Sequence, residues 1–206
     1  MLSNRLAKHF AAAAAASVVA GAANAAIVHW SNMNLVIPNT IDGLYINVET
    51  RVTGSAGSLV AGWDINPYSA TSLTWFNATG TGMLRHPGAT TGSAGNLAGG
   101  TIVGGAGVTN NGFATSFGSG AVTVGSNPGN WQLNAVNTFG FRFVGASGGT
   151  HYGYGFFQIG ASISGADRMI TDIFFEDVAG VSITVVPAPG AIALLGLAGL
   201  AGRRRR

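Results

Sequence analysis

Between its two ends this chain alternates apolar and polar residues in short runs bounded by Gly, Asn, Pro or Ser, and no long run there repeats apolar residues at the 3.6-residue period of a helix. Successive side chains of a strand point to opposite faces, so such runs predict strands with one buried face. Residues 138–144 are the clearest case, with Phe139, Phe141 and Phe143 facing one way and Gly140, Arg142 and Val144 the other. After the Gly148-Gly149 turn, Tyr152, Tyr154 and Phe156 repeat the alternation with Gly153 and Gly155 opposite, which predicts a hairpin. Val181, Ile183 and Val185 alternate in a last strand just before a proline, and earlier strands are predicted at 44–48, 59–65, 73–76, 121–124 and 131–133. The pattern is that of an all-β protein, an antiparallel β-sandwich.

Residues 88–120 carry 11 Gly among 33 residues and only brief apolar runs such as Thr101-Ile102-Val103, which predicts a long loop or weak edge strands. The string Gly104-Gly105-Ala106-Gly107 is followed by no helix, and neither of the glycine-rich phosphate-binding patterns occurs, so a nucleotide site is not expected.

The two ends read differently. Arg5, Lys8 and His9 precede an apolar stretch from Phe10 to Ala20, and Ala23-Asn24-Ala25 then supplies small residues at the −3 and −1 positions of a signal-peptidase site. The apolar part is shorter than the roughly 20 residues a spanning helix needs, so residues 1–25 are expected to be a cleaved signal peptide. At the other end comes Val186-Pro187-Ala188-Pro189, then a Gly/Leu/Ala segment at 190–202, then Arg203, Arg204, Arg205 and Arg206. Two prolines one residue apart can neither donate to a ladder nor sit inside a helix, so they keep the backbone extended and open to a processing enzyme. The apolar segment reaches across a bilayer only marginally, and the arginines stay on the cytoplasmic side, leaving the preceding domain outside.

Those ends also account for the charge. The formal net charge is +3, but only Arg51, Arg85, Arg142 and Arg168 lie in the body, against Asp42, Glu49, Asp64, Asp167, Asp172, Glu176 and Asp177, a balance of −3. The body has no basic patch to neutralise phosphates, so no nucleic-acid partner is expected. With no Cys in the chain there is no disulfide and no thiolate metal site, and stability must come from packing and sheet hydrogen bonds.

The order Pro-Ala-Pro, apolar helix, four arginines resembles the sorting tail of the PEP-CTERM family, with Ala188 where that family usually has Glu. The resemblance implies that Val186, Pro187, Ala188 and Pro189 are the sorting motif, that Arg203, Arg204, Arg205 and Arg206 set the orientation, and that an exosortase removes the tail. Phe139-Gly-Phe-Arg-Phe143, His151-Tyr-Gly-Tyr154 and the run from Phe174-Phe175-Glu176 to Gly180 and Ile183 likewise resemble the bodies of many proteins in that family. Tyr154 stands at a usual Trp. This second resemblance implies a jelly-roll-like β-sandwich and carries no catalytic activity.

Candidate chemistry in the body is sparse. Asp64, Glu176 and Asp177 are the carboxylates a glycosidase would draw on, but Glu176 and Asp177 are adjacent and point apart on a strand. Asp167, Asp172 and Asp177 are spaced by five residues, which matches no calcium loop. His29, His86 and His151 lack zinc-ligand spacing, and no nucleophile elbow occurs. Trp63 and Trp75 are candidate glycan contacts, with Trp131 and Tyr68 behind them, although a sheet protein this poor in charge needs most of its large aromatics inside. The expectation is therefore a signal peptide (1–25), a β-sandwich domain (26–186) and a sorting and membrane-anchor segment (187–206). The whole is expected to be a non-enzymatic protein without cofactor or metal. It is expected to be exported with its leader removed by signal peptidase, held transiently in the inner membrane through its C-terminal helix, then released by an exosortase to the cell surface or an exopolysaccharide matrix. A carbohydrate-binding module of that matrix is the alternative, and a glycosidase comes behind both.

Overall fold

The computed structural model describes residues 25–86, 93–105, 112–115, 120–125 and 130–187. Among the described residues strand and bridge positions make up 43% against 3% helix, so the fold is all-β. In chain order the strands are β1 (Ile27–Trp30), β2 (Leu35–Val36), β3 (Tyr45–Ile46), β4 (Thr53–Gly54), β5 (Ile65–Tyr68), β6 (Thr74–Asn77), β7 (Gly82–Leu84), β8 (Ile102–Val103), β9 (Phe113–Ala114), β10 (Gly120–Ala121), β11 (Ala135–Val144), β12 (Thr150–Ile159), β13 (Arg168–Glu176) and β14 (Ile183–Thr184). The larger sheet runs β1-β13-β12-β11-β7-β9, with β2 also on β13; the second runs β10-β6-β5-β3-β4; β14 pairs β8 separately. Every strand pair is antiparallel.

The two main sheets share one core. Ile46, Ile65 and Trp75 of the second sheet pack with Phe139, Phe141, Phe143, Phe157, Ile170 and Ile173 of the first. A smaller cluster lies on the other side of β12, where Tyr154 and Phe156 meet Val103 of β8, Ile183 of β14, Leu97 and Val185. The central strand β12 is thus covered on both faces, which removes apolar area from water on each.

The predicted hairpin is present as β11 and β12, paired from Ala135↔Ile159 to Val144↔Thr150. Its two aromatic rows face opposite ways, however: the phenylalanines enter the main core and Tyr154 and Phe156 the smaller cluster. Direct partners share a face, so Phe139 lies opposite Gly155 and Phe141 opposite Gly153. A Cβ on Gly155 would sit 2.5 Å from the Phe139 ring tip, and one on Gly153 would sit 2.4 Å from that of Phe141. Each ring is laid across the neighbouring glycine, so the alternation of aromatic and glycine is a packing code between strands.

Several expectations are corrected. Residues 59–65 do not form a strand: Gly57–Leu59 is a 3-10 turn and β5 begins only at Ile65. Residues 131–133 contribute a single bridge, Trp131↔Val124. In the glycine-rich region, β8 and β9 are short pairing partners, β9 at the sheet edge beside β7 and β8 beside β14. Neither β1 nor β13 was expected. Apart from Ala25, the predicted signal peptide lies outside the described residues, as do Ala188, Pro189, the apolar helix and all four terminal arginines. Among the described residues no helix is long and apolar enough to cross a membrane.

Candidate functional site

Trp75 and Phe76 are neighbours on β6 and so point to opposite faces. Trp75 turns inward, is 0% exposed and packs on Phe139 at 4.8 Å and Phe157 at 5.7 Å between ring centroids. It is a core residue and cannot touch a glycan, which removes it from the candidate contacts. Trp131 is equally buried, its indole N–H donating to the Ala94 carbonyl at 2.7 Å.

Phe76 faces the other way and meets Trp63 at 5.3 Å, while Tyr45 of β3 meets Trp63 edge-on at 5.1 Å. All three rings are half-buried. Together they make an aromatic surface on the second sheet. The turn from β6 to β7 then carries Ala78, Thr79 and Thr81 across to the first sheet, whose β11 ends at Val144. Between them lies a cleft of about 590 Å³ lined by Trp63, Asp64, Phe76, Asn77, Thr79 and Val144 among others.

Two buried polar groups line its wall. The Asn77 side chain, 5% exposed, donates through Nδ2 to the Ala114 carbonyl at 2.9 Å, which fixes its amide orientation. Its Oδ1 has no hydrogen-bond partner among the described residues. Asp64, also 5% exposed, accepts from the Val48 N–H at 2.7 Å through Oδ2. Burial pushes its carboxyl up to about 6; the Val48 hydrogen bond opposes that rise and the nearby charge of Glu49 adds to it. The cleft therefore combines aromatic surface with the Asp64 carboxyl and offers no cation among its lining residues.

Comparison with protein-family models, with curated proteins and with solved structures finds no match for this chain. The site must be read from its own residues.

The other sequence candidates are dispersed. Asp177 accepts from the Ala26 N–H at 2.8 Å, and Asp172 pairs with His29 at 2.9 Å. His151 contacts the Glu176 carbonyl oxygen through Nδ1 at 2.8 Å and stacks on Phe143. Among the described residues no three His, Asp or Glu side chains converge where a metal ion could be held.

At the chain's far end the geometry is well defined up to the start of the proline motif. Val185 is 2% exposed, donates to the Thr101 carbonyl and accepts from the Gly100 N–H, both at 2.9 Å. Val186 and Pro187 then emerge exposed. Tyr154 is hydrogen-bonded to the Val186 backbone, and Pro187 lies against Gly99, where a Cβ would come within 2.6 Å of the proline ring. Beside them is an apolar hollow of about 330 Å³ lined by Ile27, His29, Tyr154, Phe156 and Phe174. Sequence reasoning found Trp63 but missed Tyr45, Phe76 and Asn77. The Trp75-Phe76 adjacency held the signal, since only one of two neighbouring strand residues can enter the core.

Proposed function

We propose that this chain is a non-enzymatic exported protein, a jelly-roll-like β-sandwich delivered to the cell surface or an extracellular polymer matrix through a PEP-CTERM-like tail. Signal peptidase removes residues 1–25, and an exosortase reads Val186, Pro187, Ala188 and Pro189 while the apolar segment and Arg203, Arg204, Arg205 and Arg206 hold the chain in the inner membrane.

One observation supports this reading above the others: among the described residues, the first strand begins and the last strand ends just inside the two motifs. β1 begins at Ile27, two residues past Ala25, and β14 ends at Thr184, two residues before Val186. The N-terminal edge is fastened at Ala26 by two bonds to Asp177, through its N–H at 2.8 Å and its carbonyl at 3.1 Å. Among the described residues Val185 is the last buried one, and the motif begins where the chain emerges. Cleavage at either place therefore removes none of the described strands. The sandwich part of the reading draws on the shared core of the two sheets and on the crossings from β6 to β7, β9 to β10 and β10 to β11.

Intact-mass analysis of the exported protein, from cells with and without an exosortase, tests the proposal. The expected mature form begins at Ala26 and lacks Arg203, Arg204, Arg205 and Arg206 only when the exosortase is present. A secreted form that keeps those arginines in both strains overturns it.

A further inference from the structure

The aromatic cleft on the second sheet is a built site whose chemistry the sorting reading does not use. Its floor is apolar and flat-sided, from Trp63 and Phe76, with Tyr45 packed edge-on behind Trp63. Its polar wall is made by the carboxyl of Asp64 with Asn77, Thr79 and Thr81. The Asn77 Oδ1 is closed off from solvent, so it is not the atom a ligand would meet. The Asp64 carboxyl is: its Oδ2 already accepts from the Val48 N–H, and a second acceptor oxygen stands beside it.

We infer that this cleft binds a neutral carbohydrate, with a sugar ring laid on Trp63 and a hydroxyl donating to the Asp64 carboxyl. A pyranose ring presents C–H bonds of slight positive charge on its faces, which suit the negative face of an indole, and hydroxyl donors around its edge. The cleft's size lies within the roughly 300–1,000 Å³ usual for small-molecule sites. The lining selects against acidic sugars: it has no cation, and Asp64 with nearby Glu49 repels a uronate. A phosphorylated ligand is disfavoured for the same reason.

This inference deepens the proposed matrix association but does not depend on processing of the tail. Its test is calorimetric titration of the purified full chain with neutral hexose and pentose oligosaccharides, and with alginate as a polyuronate. Saturable binding of at least one neutral oligosaccharide is expected, with a shift in tryptophan emission and none with alginate. Trp63→Ala is expected to weaken that binding by at least about tenfold. Thr79→Arg reports independently of the aromatic cluster, because Thr79 is exposed at the mouth; its long side chain fills the cleft and abolishes binding while leaving the fold intact. Val136→Ala, at an exposed position outside the cleft lining, leaves binding unchanged. Absence of binding to every neutral oligosaccharide, preference for alginate, or neutral-sugar binding that survives Thr79→Arg each overturns the inference. Failure here with a correctly processed mature form leaves the sorting reading standing, and the converse result separates them equally well.

Discussion

Arg168 offers the sharpest test of how this fold is held together. It is the first residue of β13 and is 0% exposed. Its Nη1 donates to the carbonyls of Ser69, Ser72 and Ile163 at 3.0, 2.8 and 3.1 Å, and its Nη2 to that of Pro38 at 2.6 Å. One guanidinium thereby ties the β5–β6 turn of one sheet to the chain leaving β2 and to the loop before β13. Burial lowers its pKa, yet an arginine stays charged. Replacing it by Met keeps much of the volume and orphans four carbonyls. At about 1 kcal/mol or more for each unmet acceptor, and with part returned because no cation is desolvated, the net loss is about 3 kcal/mol. For a chain of this size that lowers the melting temperature by roughly 6–12 °C. Arg168→Lys recovers only a fraction, since an ammonium cannot span the fork between Pro38 and Ser72. Urea unfolding followed by tryptophan emission measures both variants. An unfolding midpoint for Arg168→Met equal to the parent's would refute the reasoning, because the cost of burying the guanidinium would then cancel everything its bonds contribute.

Three further outcomes follow from particular contacts. Gly155→Ala places a Cβ 2.5 Å from the Phe139 ring and 2.6 Å from the Asp172 carbonyl oxygen, so at least about 2 kcal/mol of destabilisation is expected in the same unfolding assay. Trp75→Ala should cost about 3–5 kcal/mol as a core cavity, and Trp63→Ala clearly less, so equal losses would contradict their assignment to core and cleft. Asp64 is held at about 6 against an ordinary 3.8, so the folded state binds its proton more tightly than the unfolded one. Its favourable contribution is full at acid pH below its ordinary value and is lost as pH rises through about 6, amounting to at most about 3 kcal/mol. Asp64→Asn should therefore flatten the dependence of unfolding midpoint on pH across that window, and an unchanged slope would show that another group sets it.

The parts of the fold that could be read in advance are those where one face is core and the other is not. β11 qualifies, with Phe139, Phe141 and Phe143 in the main core. β13 does not, for two physical reasons. Ile173 and Phe175 enter the main core while Phe174, packed toward the smaller cluster, shares the opposite face with Asp172 and Glu176, so that face is not uniformly polar. A bulge also shifts its register, Phe156 pairing with Asp172 but Phe157 with Ile170, which breaks the period of two at Thr171. β1 is short, and its pattern has meaning only beside β13. Trp63 stands out as a large aromatic, but the place of Asn77 in the cleft wall depends on a partner 37 residues away, the carbonyl of Ala114, and no local pattern reports that.

The scarcity of charge and the absence of cysteine place the burden of specificity on shape. On the inner face Phe139 and Phe141 lie over Gly155 and Gly153; on the outer face Gly140, opposite Tyr154, gives room to Leu97, Leu84 and Val103. A slip of one residue between β11 and β12 would set ring against ring in the main core and glycine against glycine beside them, so the alternation itself fixes the register. The same economy frames the cleft. Where the inward aromatics are closed off by glycine and aliphatic partners, Trp63 and Phe76 remain half-buried beside the Asp64 carboxyl, so the aromatic area that the second sheet leaves uncovered lies on the cleft side.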